Sequence, residues 1–168
     1  MSALLEARSL LMEGIVESNG SGREAARKFG ISPALLSLIG KAKRTLADDL
    51  KTKACEMSMK SALAIIMEYT GLNRLFNYNR TDRNLHNMLQ KIRKEDREAD
   101  TARERIADRL IDKPTDEYLT AQDIEETRVD IVEMADLTAA TVDLITEMDS
   151  RYQSLKIGEL LREKEKRH

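Results

Sequence analysis

The sequence predicts an all-α fold: an N-terminal pair of short helices joined by a tight turn, then a long helical hairpin. Three observations carry the prediction. Leu, Ala, Met, Glu, Lys and Arg, all strong helix formers, dominate the 168 residues. Only two prolines and seven glycines interrupt them. Apolar residues recur three and four apart over long stretches, as one face of a helix requires. At this length the chain is one large domain or two small ones. The predicted parts are a helix-turn-helix over 1–50, a connecting helix and loop over 51–80, a helical hairpin that oligomerises over 81–161, and a charged tail at 162–168.

The first helix runs from Ala3 to Glu17, with Leu4, Leu5, Leu11, Ile15 and Val16 toward a core, and Asn19-Gly20-Ser21-Gly22 breaks it. The stretch Gly22 to Lys41 then reads as two short helices meeting at a turn. Ser21 and Glu24 form a capping box. Small Ala26 lets the helices approach, and Gly30 supplies the left-handed residue of an abrupt stop. Ile31 plugs the turn from behind. Ser32 caps the second helix and Pro33 opens it. Leu36 and Ile39 point inward.

The other face of that second helix carries Ser32, Ala34, Ser37, Leu38 and Lys41, the positions that meet base edges in a major groove. Lys43 and Arg44, with Lys41, hold phosphates, and Arg23, Arg27 and Lys28 touch the flanking backbone. The reading face has no Arg, Asn or Gln at its tip for bidentate base contacts. The same residues also suit an ordinary helical hairpin with a glycine stop.

The second helix either runs on or breaks near Thr45, into a helix ending at Thr70 before Gly71. Its apolar positions are Leu46, Leu50, Ala54, Met57, Leu63, Ile66 and Met67. Asn73 to Arg80 is a loop whose aromatics either anchor a connector or stack on bases. The next helix runs from Thr81 or Asp82 to Ile111. Leu85, Leu89, Ile92, Asp96, Ala99, Arg103, Ile106 and Leu110 follow alternating steps of four and three, the seam of a coiled coil. Lys113-Pro114 ends it. Thr120, with Asp123 completing a cap, begins a last helix that runs past Tyr152 toward Leu161. Ile124, Ile131, Leu137, Leu144, Ile145, Met148, Tyr152, Leu155 and Leu160 give it a broad apolar stripe, with Gly158 a weak point. Among these, Leu85, Leu89, Ile92, Ala99, Ile106, Leu110, Ile131, Leu144, Met148 and Leu155 are the expected oligomerisation contacts.

Charge is divided along the chain. Residues 1–60 carry ten basic and seven acidic side chains, a net of +3. Residues 114–149 carry one basic side chain, Arg128, and eleven acidic ones, a net of -10, and 150–168 return to +3. The basic parts suit phosphates; the acidic part faces protein or solvent. Cys55 is alone, which excludes a disulfide framework and points to a reducing compartment, the cytoplasm. His86 and His168 are too isolated for a metal site. No apolar run spans a membrane, and no secretory signal is expected. Enzyme motifs are absent: no phosphate-binding glycine loop, HExxH, CxxC or nucleophile elbow. The expectation is a protein that is not an enzyme and needs no cofactor.

Residues 22–41 resemble the helix-turn-helix of bacterial and phage DNA-binding proteins, through Ala26, Gly30, Ile31, Leu36 and Ile39. The layout is similar to two kinds of protein. One is a transcriptional regulator of a phage, plasmid or other mobile element with a helical dimerisation region. The other is a phage small terminase subunit, in which a helix-turn-helix precedes an oligomerisation hairpin and a C-terminal segment contacts the large terminase. Either resemblance implies double-stranded DNA as ligand and a homo-oligomer; the second adds a larger protein partner at the C-terminal region. A helical protein–protein adaptor without DNA binding is the remaining alternative.

Overall fold

A computed structural model describes residues 3–72, 75–76 and 83–165. Among these, every regular element is helical: α1 (Ala3–Glu17), α2 (Gly22–Phe29), α3 (Pro33–Gly40), α4 (Asp48–Met57), α5 (Met59–Thr70), α6 (Leu85–Leu110), α7 (Ala121–Arg151) and α8 (Ile157–Glu165). Short 3-10 turns occupy Asp116–Tyr118 and Gln153–Leu155. No helix among the described residues is long and apolar enough to cross a membrane. The chain divides into two compact units, Met1–Tyr78 with Ile145–His168, and Asn79–Leu144. Of the loop at Asn73 to Arg80, only Leu75 and Phe76 are described, and both are half-buried. The aromatic and basic residues Arg74, Tyr78 and Arg80 lie outside the described residues, as do residues 166–168 of the tail.

In the first unit α1 crosses α5 through small residues. A Cβ on Gly14 would fall 2.5 Å from Ser61 Oγ and 2.8 Å from the Ser61 backbone nitrogen. This contact centres the packing on the second half of α1, where Leu10, Leu11 and Ile15 are buried. Leu4 and Leu5, expected in the core, are 47% and 38% exposed, about 15 Å of helix from the crossing. On α5 the inward residues are Leu63, Ala64, Ile65 and Met67, and Ile66 is exposed. Extended Ser58 (φ -159°) separates α4 from α5, so the single helix expected to run to Thr70 is two.

Charge is buried here only in company. Arg8 Nη2 donates to Glu68 Oε1 at 2.7 Å. Lys51 lies 3.6 Å from the same carboxylate and donates to Tyr69 Oη at 2.8 Å. The fully buried Lys60 Nζ donates to Glu17 at 2.7 Å. Glu17 also accepts from Ser150 Oγ at 2.9 Å, and Asp149 accepts from the backbone N–H of Met59 (3.4 Å) and Gly158 (3.3 Å). These bonds seat the segment after Ile145 against the ends of α1 and α5.

The last helix does not run to Leu161. α7 ends at Arg151, Lys156 adopts a left-handed conformation (φ +48°), and α8 starts at Ile157. The break precedes Gly158, whose N–H is held by Asp149. Tyr152, Leu155 and Leu160 consequently stand 41%, 49% and 52% exposed rather than in a continuous stripe.

The second unit is built on α6 and the first part of α7, antiparallel by their ion pairs. Lys113 pairs with Asp123 at 2.6 Å, Arg109 with Asp130 at 2.9 Å and Glu126 at 3.1 Å, and Arg105 with Asp130 at 2.5 Å. The protected row of α6 is Leu85, Met88, Ile92, Glu95, Ala99, Ala102 and Ile106, steps of three and four. It shares Leu85, Ile92, Ala99 and Ile106 with the expected seam. The other half of that seam turns out: Leu89 is 47% exposed, and Asp96 and Arg103 are exposed. Two rows flank every such stripe, and the row with small Ala102 and with Arg109, which reaches Asp130, is the protected one.

On α7, Asp130 is 2% exposed while Ile124, Val129 and Ile131 are 38%, 54% and 54% exposed. A carboxylate is turned in and apolar side chains are turned out. Arg105, together with Arg109, holds the Asp130 carboxyl below the usual carboxylate range. Lys113 first, then Thr120, does the same for Asp123. Both groups titrate lower folded than unfolded. Their contribution is therefore fully present above the unfolded carboxylate range near pH ~4 and is lost as pH falls below it toward the folded values. Acidification below about pH 4 should melt this hairpin progressively, read as helical circular dichroism. The double variant Asp123→Asn, Asp130→Asn should be less stable at neutral pH and show a shallower acid transition. An identical acid transition in that variant would assign the acid sensitivity to other groups.

Candidate nucleic-acid interface

Short-range bonds set α2 and the start of α3. Ser21 Oγ accepts from the Glu24 N–H at 3.2 Å, capping α2. Gly30 (φ +66°) ends it: Ile31 N–H donates to Ala26 C=O at 3.0 Å and Gly30 N–H to Arg27 C=O at 3.1 Å. This double bond pattern needs a left-handed residue, which glycine supplies without strain. Ser32 Oγ accepts from Leu35 N–H at 3.1 Å, and Pro33 opens α3. Ala25, Ala26 and Phe29 of α2 and Leu36 and Ile39 of α3 are buried; Ile31 is half-buried.

The end of α3 was not legible. It stops at Gly40 instead of running on or breaking near Thr45. Ala42 takes the left-handed conformation (φ +55°), with Ala42 N–H to Ile39 C=O and Lys43 N–H to Leu38 C=O both at 2.9 Å. This is the same stop as at Gly30, made with an alanine at a cost of about 1 kcal/mol. Gly40 serves packing: a Cβ there would meet Met12 Cγ at 2.8 Å, so α3 rests directly on α1. Lys41 thus closes α3, and Lys43 and Arg44 lie in the turn before buried Leu46.

Arg23, Arg27, Lys28, Ser32, Ala34, Ser37, Leu38, Lys41, Lys43 and Arg44 are all exposed. Ala34, Ser37, Leu38 and Lys41 share one face of α3 by their spacing, opposite Leu36 and Ile39. Two sets stand out among the cations of residues 1–60. Arg8, Lys51 and Lys60 are neutralised by Glu68, Asp48 and Glu17. Arg23, Arg27, Lys28, Lys41, Lys43 and Arg44 form no ion pair among the described residues. Cations without internal partners are the ones that can displace counterions from a phosphate backbone.

Lys53 of α4 joins this set. Its Nζ donates to the Lys28 C=O at 2.6 Å and lies 5.5 Å from the Phe29 ring centroid. It both caps α2 and adds positive charge beside Lys28. Nothing in the linear pattern announced it, because the contact joins residues 25 apart.

The expected oligomerisation residues are divided. Leu85, Ile92, Ile106, Leu110, Leu144 and Met148 are half-buried, Ala99 is buried, and Leu89, Ile131 and Leu155 are exposed. In the second unit Glu95, Glu98 and Glu133 place carboxylate oxygens within 4.8 Å of one another. Lys94 stands 2.7 Å from Glu98 and 3.7 Å from Glu95, so the cluster carries its own counter-charge. A cavity of about 270 Å³ in the first unit is lined by Glu17, Cys55, Asp149, Ser150 and Lys156. Burial pushes the half-buried Cys55 thiol up, away from the reactive thiolate. Glu17 and Asp149 are engaged in the bonds that hold the C-terminal segment.

Compared with known proteins, the chain matches no protein family, no curated protein and no solved structure.

Proposed function

We propose that this chain is an oligomeric helix-turn-helix protein that binds double-stranded DNA, of the kind used by a phage or bacterial mobile element in the cytoplasm. The observation that carries the reading is the set of six exposed cations on α2, α3 and the turn after α3, unpaired among the described residues, while Arg8, Lys51 and Lys60 are neutralised internally. α3 is the reading helix. Lys41, Lys43 and Arg44 hold phosphates; Arg23, Arg27 and Lys28 contact the flanking backbone; Ser32, Ala34, Ser37 and Leu38 face the bases. One such head makes few phosphate contacts and binds weakly. Joining heads raises the effective concentration of each for the same duplex.

The joining surface in this proposal is the α6–α7 hairpin as a coiled coil, through its outward apolar side chains, Leu89 on α6 and Ile124 and Ile131 on α7. Exposed Leu160 and Leu161 of α8 suit a larger protein partner. The test has two parts: retention on duplex DNA at low salt, and native mass by light scattering after size exclusion. A dimer fits a regulator reading a two-fold site. A closed assembly of many copies fits a terminase small subunit that recognises viral DNA for packaging. A chain that ignores DNA at low salt, where nonspecific binding is strongest, is a protein–protein adaptor instead.

The oligomer part has its own variants. Leu89→Asp with Ile131→Asp places charge on outward positions and should lower the native mass to that of one chain with helicity retained. Ile106→Asp acts differently, since Ile106 is half-buried on the protected row: it should cost helicity in the hairpin itself. An unaltered native mass in the Leu89, Ile131 variant would remove this surface from the proposal.

A further inference from the structure

We propose that α3 reads thymine, through the C5 methyl group, and that Ala34 and Leu38 are the residues that do it. The inference rests on the DNA-binding reading above and deepens it by naming what the helix selects.

The argument starts from what α3 lacks. Pro33–Gly40 contains no guanidinium, amide, carboxylate or imidazole. The usual bidentate partners of guanine and adenine, Arg, Asn and Gln, are therefore missing along the whole helix. Ser32, the cap of α3, accepts from the Leu35 N–H at 3.1 Å, and its hydroxyl and that of Ser37 can each give a base only single bonds, which discriminate weakly. Lys41 follows the last residue of α3 and is assigned to a phosphate above. What remains on the outward face is Ala34, Ser37 and Leu38.

Leu38 is 38% exposed, beside inward Leu36 and Ile39, which are 2% and 1% exposed. Two cations without an ion pair among the described residues adjoin it: Lys41 follows three residues later on the same face, and the Lys43 N–H donates to the Leu38 C=O at 2.9 Å. An exposed leucine beside unpaired cations suits a polyanion that offers an apolar group between its phosphates. In a major groove the thymine methyl is the apolar group that projects furthest; the other projecting groups are hydrogen-bond donors and acceptors. Set against those polar groups, Leu38 would strip water and return no hydrogen bond. Ala34, one turn before Leu38 on the same face, extends the apolar strip to a second base.

Deoxyuridine tests this without touching the protein, because it differs from thymidine by that methyl alone. Duplexes bound by the full chain are selected from a random pool at low salt, then remade with deoxyuridine for thymidine. Burial of one methyl corresponds to about fourfold in affinity and of two to about fifteenfold. The expected result is a thymine-containing consensus and a loss of that size in the deoxyuridine duplex. Leu38→Ser should shrink the thymidine-over-deoxyuridine ratio toward one while keeping the salt slope. Lys43→Ala should do the reverse. Equal affinity for the two duplexes overturns the proposal, as does a selected pool with no consensus. Failure to retain any duplex at low salt overturns the DNA-binding reading itself, a different and recognisable outcome.

Discussion

Replacing Lys41 and Arg44 together with alanine should weaken binding to duplex DNA by about sixtyfold at 0.1 M salt. It should also flatten the plot of log affinity against log salt by about two. Each phosphate contact contributes a slope of about 0.9, so at this salt each is worth roughly eightfold. Both residues are exposed and without an ion pair among the described residues, so their loss leaves the fold as it is. Helicity should be unchanged, which separates a lost contact from a lost structure. Lys94→Ala is the control: that ammonium is occupied by Glu98 at 2.7 Å and should leave the slope where it was. The loss should be similar for any duplex sequence, since phosphate contacts position the protein without reading bases. If affinity and slope both survive the double substitution, the region after α3 does not lie on the backbone.

A bulky side chain at Gly14 should unfold the first unit, or come close to it. Gly14→Val puts carbon 2.5 Å from Ser61 Oγ and 2.8 Å from the Ser61 backbone nitrogen. A serine hydroxyl can rotate away; a backbone nitrogen moves only if all of α5 moves. The core on both sides of that crossing is fully buried, with Leu11, Ile15 and Ala64 each 1% exposed. The expected cost is about 3 kcal/mol or more, the upper range for overpacking, and a drop in Tm of more than about 10 °C. Gly22→Ala serves as comparison, because its added Cβ meets nothing nearer than Val16 Cγ2 at 4.0 Å. That variant should be neutral or slightly stabilising, through helix propensity. Equal Tm values for the two variants would mean that α1 and α5 do not cross at Gly14.

What was legible in the linear chain is what short-range chemistry settles. Ser21 with Glu24, Gly30, and Ser32 with Pro33 each act on backbone groups within five residues, so α2 and the start of α3 could be read directly. Gly71 ended α5 for the same reason, with its N–H on the Met67 C=O. The all-helical class followed from composition and from apolar spacing. The exposure of Ser32, Ala34, Ser37 and Leu38 followed from helical period once Leu36 and Ile39 were taken as inward.

The rest was not legible, because there the deciding partner lies far along the chain. Ala42 stops α3 in a conformation alanine does not favour, since Gly40 must sit against Met12 and Leu46 must return to the core. Lys53 enters the candidate interface through a carbonyl 25 residues away. On α6 the expected seam shares only Leu85, Ile92, Ala99 and Ile106 with the covered row, and the difference was decided by Arg109 meeting Asp130 on α7, 21 residues away. Asp130 reads as a surface aspartate, yet it is turned inward because two arginines meet it, at the cost of leaving Ile124 and Ile131 outside. Periodicity tells which residues share a face; it takes the opposing helix to say which face is covered.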